Sequence, residues 1–337
     1  MFRNRYFWLL ISLFFVLKTE AKVTLTSIWG DNMVLQQQAE VTFRGKATPG
    51  KRVYASASWN HRKIYADCDR NGQWTLALPT PEAGGPYTIT FSDGEELTLK
   101  NILIGEVWFC SGQSNMEMPV KGFRGQPVYG SQPYIVSANP KRPLRLYTVK
   151  NNWSTTLKEE GIDGQWSEAS SEEVADFSAT AYFFGNLLQQ SLDVPVGLIH
   201  CSWSMSKIEA WMDKETLSHF SEVTLPDTNQ DKFEWAAGTP TLLWNAMVNP
   251  WEGFPVKGVI WYQGENDDAK GHGDIHDKML AGLITDWRKL WHDDLPFLIV
   301  QLTGFEQWSY NTAPNNYPIV RECQQKVADT VDSVTSL

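Results

Sequence analysis

Cysteine is scarce in this chain. Cys68, Cys110, Cys201 and Cys323 lie far apart among 337 residues. No pair has metal-ligand spacing, and no dense disulfide framework holds the fold. Basic charge is also in short supply: 29 Lys and Arg face 39 Asp and Glu, for a formal net charge of −10. An acidic surface repels phosphate backbones and argues against a nucleic-acid partner. Beyond residue 17 no apolar run is long enough to cross a membrane, and no internal repeat or low-complexity tract appears. Apolar residues are not lacking. The chain is 42% hydrophobic and 13% aromatic, with 16 Trp, which excludes a disordered protein. Most of these tryptophans belong in a core, although sugar-binding sites also use exposed rings. The length suits roughly two domains.

The one early apolar run is a targeting signal by its layout. Arg3 and Arg5 precede the stretch from Tyr6 to Leu17, and Thr19-Glu20-Ala21 places small residues at the −3 and −1 positions of a cleavage site. The run is shorter than the about 20 residues of a membrane span. Residues 1–21 are therefore expected to be a signal peptide, and the mature protein to be exported, periplasmic or secreted, and free of the membrane.

Residues 22–100 predict short strands between turns, at Val23–Leu25, Val41–Phe43, Val53–Ala55, Lys63–Tyr65, Trp74–Leu78, Tyr87–Phe91 and Leu97–Leu99. Several alternate apolar with polar residues, and Pro49-Gly50, Asn71-Gly72 and Asp93-Gly94 supply turns. The expectation is a small β-sandwich with no catalytic cluster. Residues 101–337 read differently. Apolar strands at Ile102–Cys110, Val196–Ile199, Val256–Tyr262 and Phe297–Val300 alternate with helical patterns at Phe177–Leu192, Met279–Trp291 and Tyr317–Val331. That is the pattern of an α/β domain, a parallel sheet with helices on both faces. Residues 119–175 are expected to form a long loop region over the site.

In such sheets ligands bind beyond the carboxyl ends of the strands. Three segments stand there: Ser111-Gly112-Gln113-Ser114-Asn115-Met116-Glu117-Met118, His200-Cys201-Ser202-Trp203-Ser204-Met205-Ser206, and Gln263-Gly264-Glu265-Asn266-Asp267-Asp268. A serine after a glycine at a strand-to-helix turn is placed as a nucleophile, and an N-cap serine is the alternative. An amide behind a glycine turn can donate to developing negative charge. The carboxylates of the third segment suggest a metal site or a glycosidase pair, against the favoured reading of a solvated acidic loop; no metal is expected.

These segments make the chain resemble the sialate O-acetylesterase family of the SGNH hydrolase superfamily. The resemblance runs from about Ile28 to the end. It includes Met33-Val34-Leu35-Gln36, Gly105-Glu106-Val107-Trp108, Gly112-Gln113-Ser114-Asn115-Met116, Ile208-Glu209-Ala210-Trp211, Trp261-Tyr262-Gln263-Gly264-Glu265 and Asp286-Trp287-Arg288. It implies a doubly wound SGNH-type sheet, and a cofactor-free carbohydrate esterase that removes O-acetyl groups from sialic acids or related sugars. It places the nucleophile on Ser114 and an oxyanion hole on the N–H groups of Ser114 and Ser204 with an amide from Gln263 or Asn266. Two positions depart from the family pattern. Trp203-Ser204-Met205-Ser206 stands where the family has Trp-Gly-Gly-Thr, and Asn266 stands where it has Ser.

The family's Asp and His follow one more strand near the C-terminus. Here His61, His200, His219, His272, His276 and His292 all lack an Asp three residues before them. Asp274-Ile275-His276 is the one imitation of the short Asp-to-His spacing, at the start of a helix where the family has no base; His200 ranks lower. The general base is expected beyond Leu337, with the α/β domain incomplete at that end. Two further readings stand beside the esterase: a catalytically impaired homologue that binds carbohydrate, and an acetyl xylan esterase.

Overall fold

The first strands are β1 (Thr24–Leu25), β2 (Val34–Gln36), β3 (Glu40–Lys46), β4 (Arg52–Ala57), β5 (Lys63–Asp67), β6 (Gln73–Pro79) and β7 (Gly84–Ser92), and burial alternates along β3, β4 and β6. β1, β3 and β6 form one antiparallel sheet. β4, β5 and β7 pair antiparallel with one another and with the first part of β8 (Glu96–Gly112). Val41, Phe43, Trp74, Leu76 and Leu78 meet Val53, Ala55, Ile89, Phe91 and Leu99 in one apolar core. These residues provide the two-layered β arrangement expected of residues 22–100.

β8 does not stop at that layer. Its second half is the central strand of a seven-stranded sheet in the order β10-β9-β11-β8-β12-β13-β14. The partners are β9 (Leu144–Thr148), β10 (Trp166–Glu168), β11 (Val196–Ser202), β12 (Gly258–Tyr262), β13 (Phe297–Ile299) and β14 (Val334–Ser336). All pairings are parallel except that of the edge strand β10. Successive β8 side chains serve opposite faces. Val107 and Phe109 join one core with Trp261, Trp287 and Phe297, while Trp108 and Cys110 join the other with Leu144, Leu198 and Ile260.

The helices are α1 (Ser114–Glu117), α2 (Gln132–Val136), α3 (Ser171–Asp176), α4 (Ala179–Leu192), α5 (Lys214–Leu217), α6 (His276–Trp291) and α7 (Tyr317–Thr330). α3 and α4 cover one face of the sheet through Val174, Ala181 and Tyr182. α6 and α7 cover the other through Leu280, Leu283, Trp287 and Val327. α4 starts where the Ser178 hydroxyl accepts the Ala181 N–H at 3.2 Å, an N-cap. The fold is thus the α/β class expected, with helices on both faces of a largely parallel sheet.

The computed structural model describes residues 22–160, 162–267, 275–304 and 317–337. Residues 1–21, expected to be a signal peptide, lie outside them, as do Asp268, His272 and Asp274. Among the described residues no helix is long and apolar enough to cross a membrane. Two expectations need correction. The stretch 119–175 is not all loop: it contributes β9 and β10 to the sheet, with α2 and α3. The last helix is followed by β14, paired with β13 at Phe297–Val334, so a strand does follow that helix.

Asp286 on α6 anchors the turn leading into α5. Its carboxylate accepts the Asp213 N–H at 2.9 Å and the Thr216 hydroxyl. Burial pushes the carboxyl up to about 6, partly offset by these two hydrogen bonds. The folded protein therefore holds this proton more tightly than the unfolded chain, whose Asp titrates near about 3.9. The contribution to stability is fully present below about pH 4 and declines as pH rises through about 6. Urea midpoints across that window should fall in the wild type. Asp286→Asn, whose amide oxygen can accept the Asp213 N–H while its nitrogen donates to the Thr216 hydroxyl, should flatten the decline.

Candidate active site

Three strands end in register. Ser202 of β11 lies opposite Gly112 of β8, and Gly112 lies opposite Tyr262 of β12. The segments that follow therefore leave the sheet side by side, from its C-terminal edge. Gly112 has φ of 145°, and a Cβ there would sit 2.0 Å from the Tyr262 carbonyl oxygen. Only glycine lets β8 pass so close to β12 and turn at once into α1. The Gln113 N–H donates to the same carbonyl at 3.1 Å. Ser114 is then the first residue of α1 and is half-buried. Among the described residues its hydroxyl has no hydrogen-bond partner.

The second segment closes a tight turn, the Ser206 N–H donating to the Trp203 carbonyl at 3.2 Å. Gly112 receives it from below. Its carbonyl accepts the Trp203 N–H at 3.2 Å and the Ser206 hydroxyl at 3.4 Å. Met205 occupies the left-handed region, with φ of 61°, and its side chain is exposed. The Ser204 N–H, expected in the oxyanion hole, donates to the Glu117 carboxylate. Sequence reasoning gave Glu117 no role. Its position three residues after Ser114 on a single helical turn was the available signal.

The third segment holds two amides in different states. Gln263 is fully buried and donates to the Ser206 carbonyl at 3.2 Å and to Asp267 at 2.9 Å. Its hydrogens are committed to the interior. Asn266 is half-buried, and its Nδ2 is sealed from solvent without a hydrogen-bond partner among the described residues. Of the two amides, Asn266 therefore has the unengaged donor. Two side chains beside Ser114 tie this loop to α1. Gln113 accepts the Gly264 N–H at 3.4 Å, and Asn115 donates to the Glu265 carboxylate. Burial raises the Glu265 carboxyl, opposed in part by backbone N–H groups and by Asn115.

Asp267 is not part of a solvated acidic loop. It is fully buried and accepts the Ile208 N–H at 3.1 Å as well as the Gln263 amide. A buried carboxylate needs such donors, and this one braces the second loop against the third. His276, the first residue of α6, is also fully buried, with Nδ1 3.3 Å from Asp267 Oδ2. The His276 ring thus faces Asp267, where the sequence pattern suggested Asp274. His200 lies inside β11, with Nε2 2.6 Å from the Ser202 hydroxyl and its ring edge-on to Phe177. Burial lowers it to about 4, so the ring is neutral at neutral pH. His61, His219 and His292 are exposed. None of these five rings hydrogen-bonds Ser114. Among the described residues no cysteine forms a disulfide.

The site is thus a serine at the turn after the central strand of a largely parallel α/β sheet, with the loops that follow β11 and β12 leaving the sheet on either side. The profile of a carbohydrate esterase family, the sialic acid-specific acetylesterases, matches residues 104–336, and the chain belongs to that family. The human sialate O-acetylesterase is 28% identical over 86% of this chain and 59% of its own length. The rat sialate O-acetylesterase is also 28% identical, over 86% of this chain and 61% of its own. The chain thus spans about three-fifths of the curated relatives it matches. A solved carbohydrate acetylesterase from Xanthomonas citri superposes with a TM-score of 0.83 at 32% identity, covering 93% of this chain and 68% of that one.

Gly112→Ala should show how strictly the site depends on this close approach. Two effects combine, a Cβ colliding with the Tyr262 carbonyl and a side chain forced to a positive φ. The expected loss is more than about 3 kcal/mol of stability, read as a large fall in the urea midpoint at unchanged slope. A midpoint equal to that of the wild type would show that β8 and β12 can separate at their ends.

Proposed function

We propose that this chain is a carbohydrate O-acetylesterase acting by acyl transfer through Ser114. The observation that supports the reading is the in-register ending of β11, β8 and β12, with the Ser114 hydroxyl unpartnered among the described residues and the Asn266 Nδ2 unengaged on the third loop. The Ser114 oxygen attacks the acetyl carbonyl. A bond forms to carbon, and the carbonyl electrons move onto oxygen. The Ser114 N–H and the Asn266 amide stabilise that oxyanion. Ser114 loses its proton to solvent as it attacks, collapse expels the sugar oxygen, which takes up a proton from solvent, and water then adds to acetyl-Ser114, releasing acetate and a proton and restoring the Ser114 hydroxyl. The named activities of the human and Xanthomonas relatives support O-acetylated sialic acids or related sugars as the substrate class.

A second reading, a carbohydrate-binding homologue with little turnover, is favoured by one observation: no described histidine contacts Ser114. A serine without a base keeps its proton, and loss of one triad member costs about 10⁴- to 10⁶-fold in turnover. Acetate release from O-acetylated sialic acid by residues 22–337, beside acetylated xylan, separates the readings. The expected result is release from the sialic acid below the ordinary range of about 1–10³ s⁻¹, abolished in Ser114→Ala. Asn266→Ala should lose about 10²- to 10³-fold of what remains. A rate inside the ordinary range that vanishes in His276→Ala would make His276 the base. Sugar binding without any acetate release would leave only the second reading.

We also propose that residues 1–21 direct export and are removed. Expression with the full N-terminus, followed by Edman sequencing of the exported protein, should give a chain beginning at Lys22. A chain that retains Met1 would overturn this.

A further inference from the structure

We propose that Glu117 is a positioning residue whose carboxylate fixes the Trp203–Ser206 turn against the nucleophile; this rests on the reading of Ser114 as that nucleophile. Glu117 closes the single turn of α1 that Ser114 opens. Residues three apart on a helix are neighbours, so whatever Glu117 grips is held at a fixed offset from Ser114. It grips the Ser204 N–H.

That turn needs an anchor. Met205 lies at φ of 61°, a region that disfavours any residue with a Cβ, so the loop has a local incentive to relax. Its ties to the sheet floor are neutral and long. The Trp203 N–H and the Ser206 hydroxyl reach the Gly112 carbonyl at 3.2 and 3.4 Å. The Glu117 bond is charge-assisted, a class roughly twice as strong as neutral hydrogen bonds. The third loop is held the same way from the other side, by Asn115 donating to the Glu265 carboxylate. The nucleophile turn thus sends Glu117 to the second loop and Gln113 and Asn115 to the third, and the Ser114 hydroxyl is left unengaged among the described residues.

The same contact removes Ser204 from the oxyanion hole. Its N–H is already donated, and an oxyanion placed on it would face the negative charge of Glu117. Glu117 acts on the reaction only through the loop it holds.

The test follows acetylation of Ser114 by p-nitrophenyl acetate, using nitrophenol release and intact mass, in wild type, Glu117→Ala, Glu117→Gln and Ser114→Ala. In Glu117→Ala the maximal acetylation rate should fall about 10- to 100-fold, the cost of a misplacement near 1 Å. The ester concentration giving half the maximal rate should change less than about threefold, since ester binding is not what is lost. Glu117→Gln should recover to within about threefold of wild type, because its amide oxygen accepts the same N–H. A Glu117→Ala rate within about twofold of wild type, or a Glu117→Gln no better than Glu117→Ala, overturns the proposal. Labelling that persists unchanged in Ser114→Ala overturns the nucleophile itself, a separate failure. Should Glu117→Ala not fold, the Ser204 amide proton of ¹⁵N-labelled protein decides. A Ser204 amide protected from hydrogen exchange in both wild type and Glu117→Gln supports the contact, and one that exchanges freely in wild type refutes it.

Discussion

One strand carries both halves of this molecule. β8 runs for 17 residues from Glu96 to Gly112, pairing first with β7 and β2 and then with β11 and β12. The site depends on where it ends. Its transit is fixed by close packing at two glycines. A Cβ at Gly105 would sit 1.9 Å from the Pro195 carbonyl, and one at Gly112 would sit 2.0 Å from that of Tyr262. Between them Glu106 is buried in a cage of amides. The Gln36 side chain donates to it at 3.2 Å and that of Gln37 at 2.5 Å, while the Gln36 side-chain oxygen Oε1 accepts the Val107 N–H at 2.9 Å. A buried carboxylate without those donors would cost several kcal/mol. The Met33–Gln36 and Gly105–Trp108 segments therefore serve as scaffold: they lock β8 so that its end lies in one place.

Carboxylates organise the site more than apolar contacts do. Asp267 joins the second loop to the third, Glu265 joins the third to α1, and Glu117 joins α1 to the second. The three links close a ring around Ser114. Each acid is met by a backbone N–H or an amide instead of a cation, so no buried ion pair is required. Local dielectric strengthens such bonds while penalising any that are left unmade.

Much of this was legible from sequence because apolar periodicity and turn chemistry are local. The strands from Val41 to Leu99, the helices ending at Leu192 and Trp291, and the Gly112–Ser114 turn all announce themselves within a few residues. β9 did not. Arg145 interrupts its apolar run, yet it is buried and answered by Glu168 at 3.3 Å across the edge of the sheet. β2 and β14 are three residues each, too short for a period to show. At the site, Ser114 was readable and its supports were not. The Glu117 carboxylate meets a partner 87 residues away, and its spacing from Ser114 points to the site without naming that partner. Gln263 and Asn266 look alike as amides and differ only in what surrounds them.

The continuity of β8 also decides how this protein can be dissected. Residue 100, where the sequence pattern changes, lies within the strand with hydrogen-bonded neighbours on either side of it. There is no tether to shorten, swing or cleave between the β layers and the α/β sheet. Cutting there would strand the Ile102–Gly112 half without the segment that aligns it and expose raw sheet edges on both fragments. The N-terminal layers are thus less an accessory module than the first half of the beam from which the site is hung.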